Sequence, residues 1–171
     1  LGRGDAELAA LIFHELAHQA VYAPGDSDFS EAFASVVEQE GVKRFLSAAG
    51  RDDEVGRFLE RRAREQRLAA LMAESRRRLA ALYAQGAPPE RMRAEKAAEF
   101  ERLRAALAEA GAVPAGTFNN ARLVAVAAYH RCVPAIREEL ARLDGDLPAF
   151  YAEMRRVADD AAARARLCPR R

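Results

Sequence analysis

No stretch of this chain shows the sustained alternation of β-branched and polar residues that marks a half-buried strand. Ala, Leu, Arg and Glu, residues of high helix propensity, dominate instead. The expected fold class is therefore mainly α, with six helical segments. The first spans 6–22 and stops before Pro24-Gly25. The second spans 28–48, with Gly41 inside it or marking a break. Asp52 or Asp53 is the expected N-cap of a third, 54–84. Gly86 and Pro88-Pro89 turn the chain into a fourth, 90–110. A fifth starts at Asn119 or Asn120 and runs to Leu143, kinked or broken by Pro134. The last spans 148–167.

Segments three and four look like a charged antiparallel hairpin. Leu68, Met72, Leu79 and Leu82 on one, and Phe100, Leu103 and Leu107 on the other, approximate a heptad seam. Ser75 and Lys96 interrupt it. We expect one catalytic domain over 1–171, with 52–111 as a helical-hairpin insertion that offers a surface to a protein partner. The chain opens on Leu1, which suggests the C-terminal part of a longer protein; any sheet would then lie upstream.

Composition narrows the class. Half of the 171 residues are apolar, so a core can be built, but without Trp and with few aromatics it must come from Ala, Leu and Val. Basic and acidic residues nearly balance, 27 against 26, which argues against a nucleic-acid binder. The run Arg76-Arg77-Arg78 shares its helix with Glu60, Glu65 and Glu74 and has no interleaved aromatic, so it reads as a solvated face. No apolar run approaches the roughly 20 residues of a membrane span. Cys132 and Cys168 make neither a disulfide framework nor a CxxC pair, and leave the compartment undecided. Cys132 is expected in the core. An export signal upstream would point to a bacterial cell envelope or periplasm.

Residues 12–19 read Ile-Phe-His-Glu-Leu-Ala-His-Gln. His14 and His18 are four apart, so on a helix both imidazoles leave one face and can share one tetrahedral Zn²⁺. Glu15 is offset by about 100°. It can reach a water activated by the metal and take its proton without being a ligand. Leu11, Ile12, Phe13, Leu16 and Ala17 are expected to bury this helix. A catalytic zinc needs a third protein ligand. Glu31 and Glu38 are the candidates, seven apart on one face of the second helix, which the Pro24-Gly25-Asp26 turn folds back on the first. Glu31 also fits a capping-box position behind Asp28, and Glu38 a solvated helix surface.

His-Glu-Leu-Ala-His-Gln, followed by Ser30-Glu31-Ala32-Phe33-Ala34-Ser35-Val36-Val37-Glu38, resembles the gluzincin peptidases. It is similar to zinc aminopeptidases whose second helix reads N-E-G-F-A-S-Y-V-E. The first Glu of that motif is their third zinc ligand, and the resemblance places that role on Glu31. Two departures stand out. Only 12 residues separate His18 from Glu31, fewer than in those enzymes, and their amine-binding motif G-A-M-E-N is absent. Glu38, with 19 intervening residues, sits at a thermolysin-like interval. Local context favours Glu31. The segment 11–45 and the run Phe118-Asn119-Asn120-Ala121-Arg122 into Tyr129-His130 resemble a family of predicted bacterial aminopeptidases, over nearly the whole chain. That resemblance implies a zinc hydrolase.

Gluzincins usually supply a Tyr or His from a later helix to the oxyanion of the tetrahedral intermediate. Tyr129 and His130 are the candidates here, and a core Tyr and core His is their plain structural reading. Asn119-Asn120 suits an N-cap, and Arg122 a partner for a carboxylate near the site. The expected function is peptide hydrolysis with one Zn²⁺ on His14, His18 and Glu31, and Glu15 as general base, on a peptide taken from its N-terminus, with internal cleavage left open. A helical interaction module with a structural or vestigial zinc is the alternative.

Overall fold

The computed structural model describes residues 4–112 and 132–169. They form seven helices and, among the described residues, no strand, so the fold is mainly α. The helices are α1 (Asp5–Ala20), α2 (Ser27–Ala48), α3 (Asp52–Ala84), α4 (Pro89–Glu109), α5 (Val133–Arg142), α6 (Leu147–Asp159) and α7 (Ala161–Leu167). The chain divides into two compact units, Leu1–Glu60 with Tyr129–Arg171, and Arg61–Ala128. The division falls within α3. None of the described helices is long and apolar enough to cross a membrane.

The first unit is built around α2. Phe29, Ala32, Phe33, Ala34, Val36, Val37, Val42 and Leu46 of this helix are all buried. Apolar side chains on nearly every side make α2 an inner helix rather than an amphipathic surface one. Ala17 and Val21 cover one flank, while Ile136 and Leu140 of α5 and Phe150 and Met154 of α6 belong to the same core. The Phe33 ring stacks on Phe150, with centroids 5.7 Å apart, and meets Tyr151 edge-on. A second cluster joins Ala10 of α1, Val42 and Leu46 of α2, and Phe58 of α3, with Phe13 packed against it.

The turn between α1 and α2 is tied from several directions. Gly25 takes φ +75°, a conformation that favours glycine. Asp26 caps α2 by accepting a hydrogen bond from the Phe29 N–H, so the cap lies two residues before Asp28. The Ser30 hydroxyl donates to the Asp26 carbonyl and accepts from the Ala23 N–H. Arg164 of α7 pairs with the Asp26 carboxylate at 3.3 Å, and Arg155 of α6 donates to the Ala20 carbonyl.

Several expectations are corrected. Of the two readings of Gly41, the structure bears out the one inside α2, without a break. Asp52 is the first residue of α3 rather than its cap, and its carboxylate accepts from the Ser47 hydroxyl. Pro134 sits in the first turn of α5, where its missing N–H costs no helical bond. The single last helix is two: Asp160 adopts an extended backbone and its carboxylate accepts from the Ala162 and Ala163 N–H groups. That side chain gives the backbone an alternative to helix and starts α7. Cys132 and Cys168 form a disulfide, 36 residues apart in sequence, and both are buried. The expected start of the fifth segment, including Asn119, Asn120 and Arg122, lies outside the described residues.

The second unit is held by Leu79 and Leu82 of α3 with Phe100, Leu103 and Leu107 of α4, while Leu68, Met72 and Met92 pack against them. Ser75 is buried in this seam, and its hydroxyl has no hydrogen-bond partner among the described residues. Lys96 holds its ammonium 5.6 Å from the Phe100 ring centroid. Arg76, Arg77 and Arg78 are exposed. Arg77 and Arg78 pair with Glu74, and Arg78 also with Glu99.

Candidate metal centre

One turn of α1 and the first half of α2 face each other across the capped turn. His14 and His18 project from the flank of α1 between its buried face, carrying Ala10 and Ala17, and its exposed face. Their Nε2 atoms lie 3.3 Å apart. Glu31 comes from the second turn of α2. Its Oε2 stands 3.4 Å from His14 Nε2 and its Oε1 3.6 Å from His18 Nε2.

These three groups are the described set of at least three His, Cys, Asp or Glu residues whose ligand atoms could hold a metal ion. Their separations suit one. Ligand atoms at roughly 2.0–2.1 Å from a tetrahedral Zn²⁺ stand about 3.3 Å from one another. At 3.3 Å the two Nε2 atoms share a proton when one imidazole carries it there, and converge on a cation when both lone pairs are free. The donor set, two imidazoles and one carboxylate, is a borderline-soft combination that suits zinc and leaves a fourth position open.

The two candidates on α2 are separated by geometry. Glu38 does not reach the Nε2 pair. Its Oε2 lies 3.1 Å from the other nitrogen of His14, Nδ1. Glu38 is a buried carboxylate, not the solvated one that the sequence suggested. The hydrogen bond from His14 to Glu38 raises the His14 pKa above its ordinary value; burial opposes this, and the charges of Glu38 and Glu31 add to it. His18 Nδ1 is buried and has no hydrogen-bond partner among the described residues.

Glu15 lies on the exposed face of α1. Among the described residues no hydrogen bond or ion pair engages its carboxylate. Its neighbours on that face are apolar. Leu8, Leu11, Ile12 and Leu16 are 55%, 46%, 47% and 52% exposed, which corrects the expectation that Leu11, Ile12 and Leu16 bury the helix. The reason is angular: at about 100° per residue these positions fall on the side of α1 opposite its contact with α2. Ala17 is buried and Phe13 partly so, as the pattern requires. Tyr129 and His130 lie outside the described residues.

A comparison with protein families matches residues 1–167 to the family described as "Putative aminopeptidase". The chain belongs to that family. Membership of the aminopeptidase family makes it a peptidase at the level of class. A comparison with curated proteins and one with solved structures gave no match. In this aminopeptidase-family chain, the contact that sequence reasoning missed is Glu38 on His14 Nδ1. Its signal was present: a Glu seven residues after Glu31 repeats the same helix face two turns on.

Proposed function

We propose that this chain is a zinc-dependent peptide hydrolase acting as an aminopeptidase, with His14, His18 and Glu31 as the metal-holding residues. What carries the reading is the triangle of His14 Nε2, His18 Nε2 and the Glu31 carboxylate, with sides of 3.3, 3.4 and 3.6 Å. A zinc ion bound there would lower the pKa of a water and polarise a peptide carbonyl.

The chain's own residues supply the rest. Glu15 is one position along from His14, so its carboxylate leaves α1 beside the triangle without joining it. There it accepts the proton of the attacking water and returns it to the leaving amine. No partner among the described residues competes for it. Leu11 and Ile12 flank Glu15 on the same exposed side of α1. Glu31, on a capped and buried helix, holds its carboxylate against the two imidazoles at little conformational cost. Tyr129 or His130 is assigned to the substrate carbonyl oxygen as a hydrogen-bond donor. The substrate is a peptide, taken from its N-terminus.

The test is cleavage of a broad peptide library by zinc-loaded protein in its longest natural form, with Glu15→Gln beside it. Expected is release of N-terminal residues by wild type and a fall of at least ~10²-fold in the variant, with zinc content and helicity unchanged. Wild type that binds zinc and cleaves nothing would return the chain to the alternative, a helical interaction module.

A further inference from the structure

We propose that Glu38 is a positioning residue: by accepting the Nδ1–H of His14 it fixes the tautomer that leaves Nε2 open to the metal. The proposal rests on the zinc reading above and adds a residue to it. An imidazole can present either nitrogen, and a ring free to turn presents the wrong one part of the time. A carboxylate only accepts, so at 3.1 Å from Glu38 Oε2 the proton belongs on His14 Nδ1. That leaves the lone pair on Nε2, the atom facing Glu31 and His18.

The arrangement follows from α2. Glu31 and Glu38 are seven residues apart, two turns and about 10 Å along the helix. One reaches His14 from the Nε2 side and the other from the Nδ1 side, so a single rigid helix addresses both nitrogens of one ring. Glu38 is itself held in place, since Val36, Val37 and Val42 around it are buried. Carboxylate partners of this kind orient metal-bound histidines and strengthen them as ligands. The two histidines are unequal in this respect. His18 Nδ1 has no such partner among the described residues, so the orienting effect of α2 falls on His14.

The experiment measures zinc affinity of wild type, Glu38→Ala and Glu38→Gln by competition with a chromogenic chelator. Helicity and thermal unfolding of the metal-free proteins are followed in parallel. Histidine-¹⁵N spectra of the zinc-loaded proteins report which nitrogen of His14 carries a proton and how fast that proton exchanges. Expected is a 10–100-fold loss of affinity in Glu38→Ala, with the metal-free fold retained. Glu38→Gln should lose less, because its amide oxygen still accepts the Nδ1–H without the charge. The slowly exchanging His14 Nδ1 proton of wild type should exchange fast in Glu38→Ala. A purely structural role would lower the unfolding temperature and leave both of these readouts unmoved.

Affinity of a folded Glu38→Ala within twofold of wild type overturns the proposal and leaves the zinc reading standing. If Glu38→Ala does not fold, wild type and Glu38→Gln decide. Zinc on His14 Nδ1, or a His14 Nδ1 proton exchanging equally fast in both, overturns the proposal. A protected Nδ1 proton in wild type that is less protected in Glu38→Gln supports it. Wild type that takes up no zinc overturns the zinc reading and this proposal together.

Discussion

Gly41 of α2 faces the Phe13 ring so closely that a Cβ at this position would stand 2.7 Å from Phe13 Cγ and Cδ2. The contact sets how near α1 approaches α2, one residue from His14 and three from Glu38. On helix propensity alone, Gly41→Ala would stabilise α2 by about 1 kcal/mol. Here the added methyl meets the base of an aromatic ring, which cannot swing clear as the tip of a flexible side chain would. Urea denaturation should show Gly41→Ala destabilised by about 1–3 kcal/mol, the usual cost of overpacking. Stability equal to or above wild type would mean that α1 shifts without resistance.

The ligand set orders the effects of substitution. Purified protein should carry about one zinc per chain, and His18→Ala should lose it. Glu31→Gln should weaken binding by more than the roughly 10–100-fold of an outer partner, because its carboxylate faces both Nε2 atoms. Elemental analysis and chelator competition measure both. Zinc retained in full by the His14→Ala, His18→Ala double variant would place the metal elsewhere. A larger loss from Glu38→Ala than from Glu31→Gln would exchange the roles of the two carboxylates.

The histidine pair was legible because its geometry is local. Four residues on a helix bring two side chains together whatever the rest of the chain does. Local context pointed to Glu31 over Glu38, but counting residues cannot tell which nitrogen of His14 each carboxylate meets. Their α2 positions were visible; the rotation of α2 against α1, fixed by contacts such as Gly41 with Phe13, was not. Leu11, Ile12 and Leu16 misled for a related reason: apolar character says that a side chain favours burial, not which face of α1 has a neighbour. The break at Asp160 was hidden because Ala-rich flanks favour helix on both sides, and one side chain's bonds to Ala162 and Ala163 outweigh that preference.

The disulfide between Cys132 and Cys168 closes a loop over 36 residues and joins the start of α5 to the end of α7. Loop-closure entropy assigns such a link about 4 kcal/mol, with strain and residual structure in the unfolded chain lowering what is realised. Reduction, or Cys168→Ala, should lower unfolding stability by about 2–4 kcal/mol in urea titrations, with thiol labelling of wild type absent until reductant is added. Two thiols reactive in the native, unreduced protein would contradict the link.

Asp26 has two tasks, one for each oxygen: it caps α2 through the Phe29 N–H and pairs with Arg164. Asp26→Asn keeps a cap and loses the charge; Asp26→Ala loses both. The expected order of stability is wild type, then Asn, then Ala, with Ala about 1–2 kcal/mol below wild type. Thermal unfolding decides this, and equal stability of Asn and Ala would show that the cap contributes nothing.

His14 and Glu38, the outermost members of the set, are 24 residues apart. Among the described residues, the groups of this cluster, His14, His18, Glu31 and Glu38, come from two consecutive helices. Chain closure over so short a span costs little entropy and grows only slowly with length. One α1–α2 hairpin thus carries His14, His18, Glu31 and Glu38, and α5 and α6 share the core that α2 buries.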